Sequence, residues 1–242
     1  MSEFLSEIEE NGFIYREGVF SPETIDEVSA YCDTLRPERG HDKSKKWYGW
    51  KATHALDNPF EVDWAYYWSE QANHPAVTQI KDSLAYLPND IFGEGNWSWH
   101  SQDFIVLYPG MDFVRPHIDT PYRFKEFKYE EKFLGLQFIV PLSDINETNG
   151  ATGYVPGSHK YIIDPVQIQN NLSWEIFFLD NYKQHIAKKG SFVGWHPRLL
   201  HSTMPNKTNE KRKVLLLHIS ENTTERKLRT MDPSINPSLR TT

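Results

Sequence analysis

The spacing of apolar side chains divides the chain into a helical part and a stranded part. Phe4, Leu5 and Ile8 share one face of a short helix that Ser2 can cap and Asn11-Gly12 ends. Phe13–Phe20 reads as a strand. Ser21-Pro22-Glu23 opens a second helix, with a capping hydroxyl, a proline at the first helical position and an acid in the first turn. Ile25, Val28 and Cys32 form its apolar stripe, and Pro37 lies beyond it. The polar stretch Arg36–Lys46 reads as a loop. Val77, Ile80, Leu84 and Leu87 predict a third helix over Pro75–Leu87.

From Trp97 onward the apolar runs shorten and turn residues separate them. Asp103–Tyr108, Leu134–Leu142, Ala151–Pro156, Ser191–Trp195 and Val214–Ser220 have the length and composition of strands. Two mixed stretches, Thr120–Lys132 and Asp164–Lys188, interrupt them and read as lids or surface decoration, with an oligomer contact also open for the second. Helices followed by roughly eight short strands point to a mainly β sandwich or jelly roll. The expected organisation is one domain, with 1–95 as a mainly helical flank, 96–222 as the β core and 223–242 as a loosely ordered tail.

Composition narrows the function classes. A length of 242 residues suits a single β-rich domain. With 38% hydrophobic and 24% charged residues, a packed core is expected and global disorder is not. The formal net charge is −7, and the basic residues form only short runs, Lys43–Lys46 and Lys211–Lys213. That leaves no basic face for a nucleic-acid backbone. Cys32 is the only cysteine, which excludes an intrachain disulfide and a thiolate metal cluster. Met1–Glu10 is acidic and lacks an apolar signal core, and no apolar run is long enough to span a bilayer. The sequons at Asn96, Asn146, Asn171, Asn206 and Asn222 therefore read as chance matches. A reducing cytoplasm is the expected compartment, with no membrane partner.

The candidate chemistry starts at His117-Ile118-Asp119. On an extended strand, residues i and i+2 point to one face, so imidazole and carboxylate stand side by side. Two histidines and one carboxylate on one octahedral face leave open positions on Fe(II). Alone, the triplet reads equally well as a surface histidine beside a turn aspartate. His201 is a candidate second histidine, following the Ser191–Trp195 strand and the apolar pair Leu199-Leu200. Arg212 stands eleven positions later, across a stretch of hairpin length at Asn206–Lys211. Its rigid fork suits a carboxylate through two parallel hydrogen bonds, and Thr203 can supply a third. Between Lys211 and Lys213, however, it also reads as a surface cation. Three further histidines compete for the metal: His159 in the turn Pro156-Gly157-Ser158-His159, His196 and His218.

Together these segments resemble the phytanoyl-CoA dioxygenase family of Fe(II)/2-oxoglutarate oxygenases. Gly12-Phe13-Ile14 through Glu23, His117-x-Asp119, Asn149-Gly150 through His159, and His201-Ser202-x-x-Pro205-Asn206 through Arg212 carry the likeness, in order, over about residues 10–220. The resemblance implies a double-stranded β-helix with flanking helices, and Fe(II) held by His117, Asp119 and His201. It implies that Arg212, assisted by Thr203, pairs the far carboxylate of 2-oxoglutarate. Gln137 stands where some members carry an aromatic contact to this co-substrate. It further implies that O₂ and 2-oxoglutarate are consumed, that succinate and CO₂ are released, and that a small molecule is hydroxylated. Related halogenases have a small residue in place of the carboxylate, so Asp119 favours hydroxylation. Three other readings stay open: a non-catalytic β-helix that binds a small ligand, a cupin-type isomerase or sugar-binding module, and a hydroxylase of proteins or peptides.

Overall fold

Alternating side chains on two long strands divide the core of the protein into an outer and an inner layer. The computed structural model describes residues 3–36, 39–42, 50–52, 62–67, 72–130 and 132–231. The run Lys43–Lys46 and the end of the expected tail, 232–242, lie outside the described residues.

The amino-terminal elements are α1 (Glu3–Asn11), β1 (Phe13–Arg16) and α2 (Pro22–Thr34). The strand expected over Phe13–Phe20 ends at Arg16, and the chain then turns through Gly18 at φ +66°. Helix α2 begins as read from the sequence: Thr24 N–H donates to the Ser21 hydroxyl at 3.2 Å, and Pro22 follows the cap. The helix expected over Pro75–Leu87 is instead α3 (Pro75–Leu84) followed by α4 (Tyr86–Phe92). Pro88 explains the break. It offers no N–H to the Leu84 carbonyl, and its ring crowds that group.

The flank is less helical than its sequence suggests. The expected loop Arg36–Lys46 contains β2 (Arg39–Asp42), which is joined by β3 (Trp50–Ala52) and β4 (Val62–Tyr67). Strand β4 pairs with β5 (Trp97–Leu107), whose other edge carries β11 (Arg212–Glu221). The flank thereby covers a sheet edge that would otherwise expose a row of unpaired backbone groups.

Strands β6 (Gly135–Pro141) and β9 (Phe192–Trp195) complete an eight-stranded antiparallel sheet in the order β1-β9-β6-β11-β5-β4-β2-β3. A smaller sheet has the order β10-β7-β8, from β7 (Thr152–Tyr154), β8 (Lys183–His185) and β10 (His201–Thr203). On one face of the large sheet, Phe104, Leu136, Phe138, Leu215 and Leu217 pack with Ile25, Val28, Val77 and Ile80 from the helices. On the other, Ile105, Leu107, Ile139, Trp195, Val214 and Leu216 pack with Tyr154 of the small sheet. Two sheets closing on one inner layer are the expected double-stranded β-helix. Burying an apolar side chain fully is worth about 1.5–3 kcal/mol, so both layers contribute heavily to the fold.

The interrupting stretches are built into the domain. Asp164–Lys188 supplies α5 (Pro165–Asn170), α6 (Leu172–Asn181) and β8. Lys128 Nζ pairs with the Asp164 carboxylate at 3.0 Å, and Tyr122, Phe127, Ile163, Ile168 and Phe178 share a third apolar cluster. The region after Glu225, expected to be loose, is the helix α7 (Asn222–Met231) as far as the structure describes it. Burial of Leu228 and a 2.8 Å contact between His100 and Glu225 fix it to β5. No helix among the described residues is long and apolar enough to cross a membrane.

Candidate functional site

The segment carrying His117 and Asp119 is extended but forms no ladder, contrary to the strand expected from the sequence. It borders β10 through a single bridge, with His117 directly opposite His201. His117 N–H donates to the His201 carbonyl at 2.9 Å, and His201 N–H returns a bond of 3.0 Å. Val114 N–H reaches the Thr203 carbonyl at 3.0 Å, and Asp119 N–H reaches the Pro197 carbonyl at 2.7 Å. These bonds hold the backbone straight enough for His117 and Asp119 to share a side.

The three expected ligand groups converge. His201 Nε2 lies 3.1 Å from Asp119 Oδ2, and His117 Nε2 lies 3.7 Å from Oδ1. One ligand atom from each residue falls within 4.8 Å of the others, a spacing that could hold a metal ion. Each imidazole is aimed by its other nitrogen: His117 Nδ1 donates to the Arg115 carbonyl at 3.0 Å, and His201 Nδ1 to the Leu199 carbonyl at 2.8 Å. Such bonds set the tautomer and ring orientation of a metal-binding histidine. Side-chain exposure falls from 27% at His117 through 16% at Asp119 to 8% at His201, so the open edge of the group lies at His117.

Charge follows the same geometry. Burial, then repulsion from His201, lowers His117 to about 4 against the pull of Asp119. Burial also opposes the charge on Asp119, but His201 and His117 outweigh it and hold the carboxyl well below its usual range. In His201, the charge and hydrogen bond of Asp119 overcome burial and raise the imidazole. The geometry therefore favours a neutral His117 beside an ion pair of His201 with Asp119, and a metal ion would compete with the His201 proton.

Trp195 completes the group, and sequence reasoning missed it. Its indole N–H donates to Asp119 Oδ2 at 3.3 Å across 76 residues of chain. The available signal was a tryptophan in a strand: when buried, such a ring needs a partner for its N–H.

The remaining predicted residues lie on strands of the two sheets. Arg212 opens β11 opposite Leu107 and alternates with the inward-facing Val214 and Leu216. It is 2% exposed, and its Nε and Nη2 have no hydrogen-bond partner. Burial lowers its pKa to about 10, so it remains a cation at neutral pH. Thr203 is two residues from His201 on β10, on the same side of the strand, and faces Thr152 across the ladder. Gln137 is buried between His218 and Trp195 in the cross-strand row, with Nε2 unpartnered.

The competing histidines have other roles. His159 Nε2 lies 2.9 Å from the Glu9 carbonyl, pinning α1. His196 Nδ1 accepts the Arg198 backbone N–H at 3.0 Å. His218 Nδ1 meets the Ser101 hydroxyl at 3.0 Å. The turn residues also have structural tasks. Ser158 Oγ accepts the Leu200 N–H at 2.8 Å, bracing the approach to His201. Asn206 Oδ1 accepts from Thr208, and its Nδ2 donates to the Glu210 carbonyl at 2.8 Å, shaping the hairpin that delivers Arg212. Gly150 has φ +90°, and an added Cβ would sit 2.5 Å from Leu107, so glycine is required there.

Comparison with known proteins agrees with this architecture. HygX from Streptomyces hygroscopicus, solved with nickel and 2-oxoglutarate bound, superposes with a TM-score of 0.68 at 15% identity, covering 91% of this chain and 87% of its own. SnoN, a non-heme alpha ketoglutarate dependent epimerase from nogalamycin biosynthesis, gives 0.67 at 16% identity, covering 90% and 82%. SnoK, a carbocyclase of the same biosynthesis, gives 0.65 at 16% identity, covering 91% and 84%. No curated protein matches the chain significantly in sequence. The sequence profile of phytanoyl-CoA dioxygenase matches residues 8–214, and with that span of agreement the chain belongs to the phytanoyl-CoA dioxygenase family.

Proposed function

We propose that this protein is an Fe(II)- and 2-oxoglutarate-dependent dioxygenase that hydroxylates a small molecule. In this reading His117, Asp119 and His201 hold the iron, and Arg212, Thr203 and Gln137 hold the co-substrate. The observation that carries it is the pairing of the His-Asp-His group with Arg212. A buried guanidinium without a partner is costly unless an anion meets it, and a dicarboxylate would supply that anion. The donor set also fits Fe(II), being two imidazoles and one carboxylate with an open edge.

Iron bound there supplies the redox chemistry that couples O₂ and the decarboxylation of 2-oxoglutarate to oxidation of a C–H bond. The protein supplies charge, orientation and dryness. Asp119 provides the negative ligand, and Trp195 fixes one of its oxygens. The carbonyls of Arg115 and Leu199 hold the imidazoles. Arg212 orients the co-substrate from its far end through a bidentate pair. The apolar inner layer keeps water from the reacting atoms.

Anaerobic addition of Fe(II) and 2-oxoglutarate should give a weak visible charge-transfer band, and aerobic turnover should release succinate. Arg212→Met should abolish the band at co-substrate levels that saturate the wild type. A wild type with no band and no succinate would favour a ligand-binding protein without turnover. SnoN and SnoK are an epimerase and a carbocyclase, so oxidation without hydroxylation is a second reading of the same site. Product mass separates them, since only hydroxylation adds an oxygen atom.

A further inference from the structure

Among the described residues, Arg212 is one of two buried guanidinium groups that lack a counter-ion. The other is Arg198. It is 8% exposed, and its Nε and Nη2 have no hydrogen-bond partner. It pairs with no carboxylate among the described residues. Its guanidinium carbon lies 4.2 Å from the centroid of the Tyr122 ring. A ring face offsets part of the cost of a desolvated cation and brings no opposite charge.

Its ring neighbours Tyr122 and His196 are neutral, and the Tyr122 hydroxyl accepts a hydrogen bond from the guanidinium without adding charge. Burial pushes the Tyr122 hydroxyl up to about 12, with Arg198 offsetting this only in part. His196, stacked on Tyr122 at 5.7 Å between centroids, is held well below its ordinary value, first by burial and then by His159 and Arg198. Both Nε and Nη2 are closed to water, but so are the same atoms of Arg212, so closure does not separate the two arginines.

The position of Arg198 limits what its counter-ion can be. It follows Pro197, whose carbonyl receives the Asp119 N–H at 2.7 Å, so its backbone borders the metal-binding segment. Along the chain, Arg198 precedes His201 while Thr203 and Arg212 follow it. The co-substrate accounts for Arg212 alone. An uncompensated buried cation whose backbone borders the metal-binding segment calls for a second anion, one that arrives with the molecule to be oxidised.

We propose that Arg198 is a substrate-binding residue that receives an anionic group, carboxylate or phosphate, of the molecule this enzyme oxidises. The inference rests on the metal and co-substrate reading for the place of the reaction centre. It adds a substrate class that the family likeness leaves open.

The test uses the anaerobic Fe(II) protein saturated with 2-oxoglutarate, in chloride buffer, titrated calorimetrically with methyl phosphate and separately with butyrate. Methyl phosphate stands for a phosphorylated substrate and butyrate for a carboxylated one. We expect one of them to saturate at one equivalent per chain. Arg198→Met should weaken that binding at least tenfold, and Arg198→Lys should weaken it less, because Lys keeps the charge and loses the fork. The Lys variant serves as the reading if the Met variant does not fold. Saturation by neither anion, or binding unchanged in both variants, would overturn the proposal. The charge-transfer band is recorded on the same wild-type sample, so a missing band exposes a failed metal reading independently of the anion result.

Discussion

Among the described residues, the His100–Glu225 and His201–Asp119 pairs both bury a histidine against a carboxylate, and only one is built as a site. His100 Nδ1 meets Glu225 at 2.8 Å with both side chains almost fully enclosed, and Arg229 reaches the other oxygen of Glu225 at 3.0 Å. His201 meets Asp119 at 3.1 Å, but a second imidazole faces the other oxygen and the edge at His117 stays open. The His100 pair ties α7 to β5. The His201 pair converges three ligand atoms whose rings are aimed from behind by backbone carbonyls. Proximity of histidine and acid is thus common to a clamp and a site. What distinguishes the site is a third ligand, an aimed tautomer and an unfilled side.

Substitutions can pull the two pairs apart. The largest effect is expected for Asp119→Ala, which removes the charged ligand. Loss of metal affinity and succinate release should exceed the roughly 10–100-fold typical of an outer-shell partner, by atomic absorption and product assay. A variant that still releases succinate at wild-type rate would mean that the two pairs do not differ in function. Glu225→Ala should do the reverse. Leaving His100 buried without its hydrogen-bond partner should cost about 1–3 kcal/mol of stability, read as a lower denaturant midpoint, while each folded molecule still binds metal. Next comes Trp195→Phe, which keeps the ring and loses the bond to Asp119. Metal affinity should fall about 10–100-fold, with little change in melting temperature.

The smallest expected effect is that of pH. His201 is raised above its ordinary 6.5, so its pairing with Asp119 stabilises the metal-free protein fully below 6.5 and is lost as pH rises through the raised value. Metal affinity should move the opposite way. It falls about tenfold per pH unit below the His201 pKa, since one proton competes, and falls more steeply only near 4, where His117 also protonates. Melting of chelated protein and metal titrations across this range check both signs. Melting of the chelated protein that does not change with pH would show that the His201–Asp119 pair is no ion pair.

Local pattern made much of this molecule legible. The strands around Phe138 and Leu215 are short apolar runs between turns, and the Ser21-Pro22-Glu23 start of α2 is written in consecutive residues. The convergence of His117, Asp119 and His201 was legible from i and i+2 spacing taken together with the family resemblance, and the place of Arg212 from a hairpin that Asn206 and Thr208 shape through neighbouring atoms. What stayed hidden depends on distant partners. Pairing of β4 with β5, the Trp195–Asp119 bond and the His100–Glu225 clamp join residues far apart in the chain, and no periodicity encodes them. Arg198 escaped for a different reason. Its significance is an absent partner, which only the folded surroundings reveal.

The register of β11 has a consequence for how this enzyme can change. Arg212 faces Leu107 at the first rung of a ladder that runs to Glu221, and β6 grips the same strand from its other side. Because strand faces alternate, slipping by one residue would swing the guanidinium out of the inner layer into the helix-covered layer and turn the whole strand inside out. On the proposed reading, hold on the co-substrate is therefore all or none, set by counting rather than by fine adjustment. Mutations can retune the interrupting stretches 120–132 and 164–188 step by step, but the anchor at Arg212 admits no halfway position.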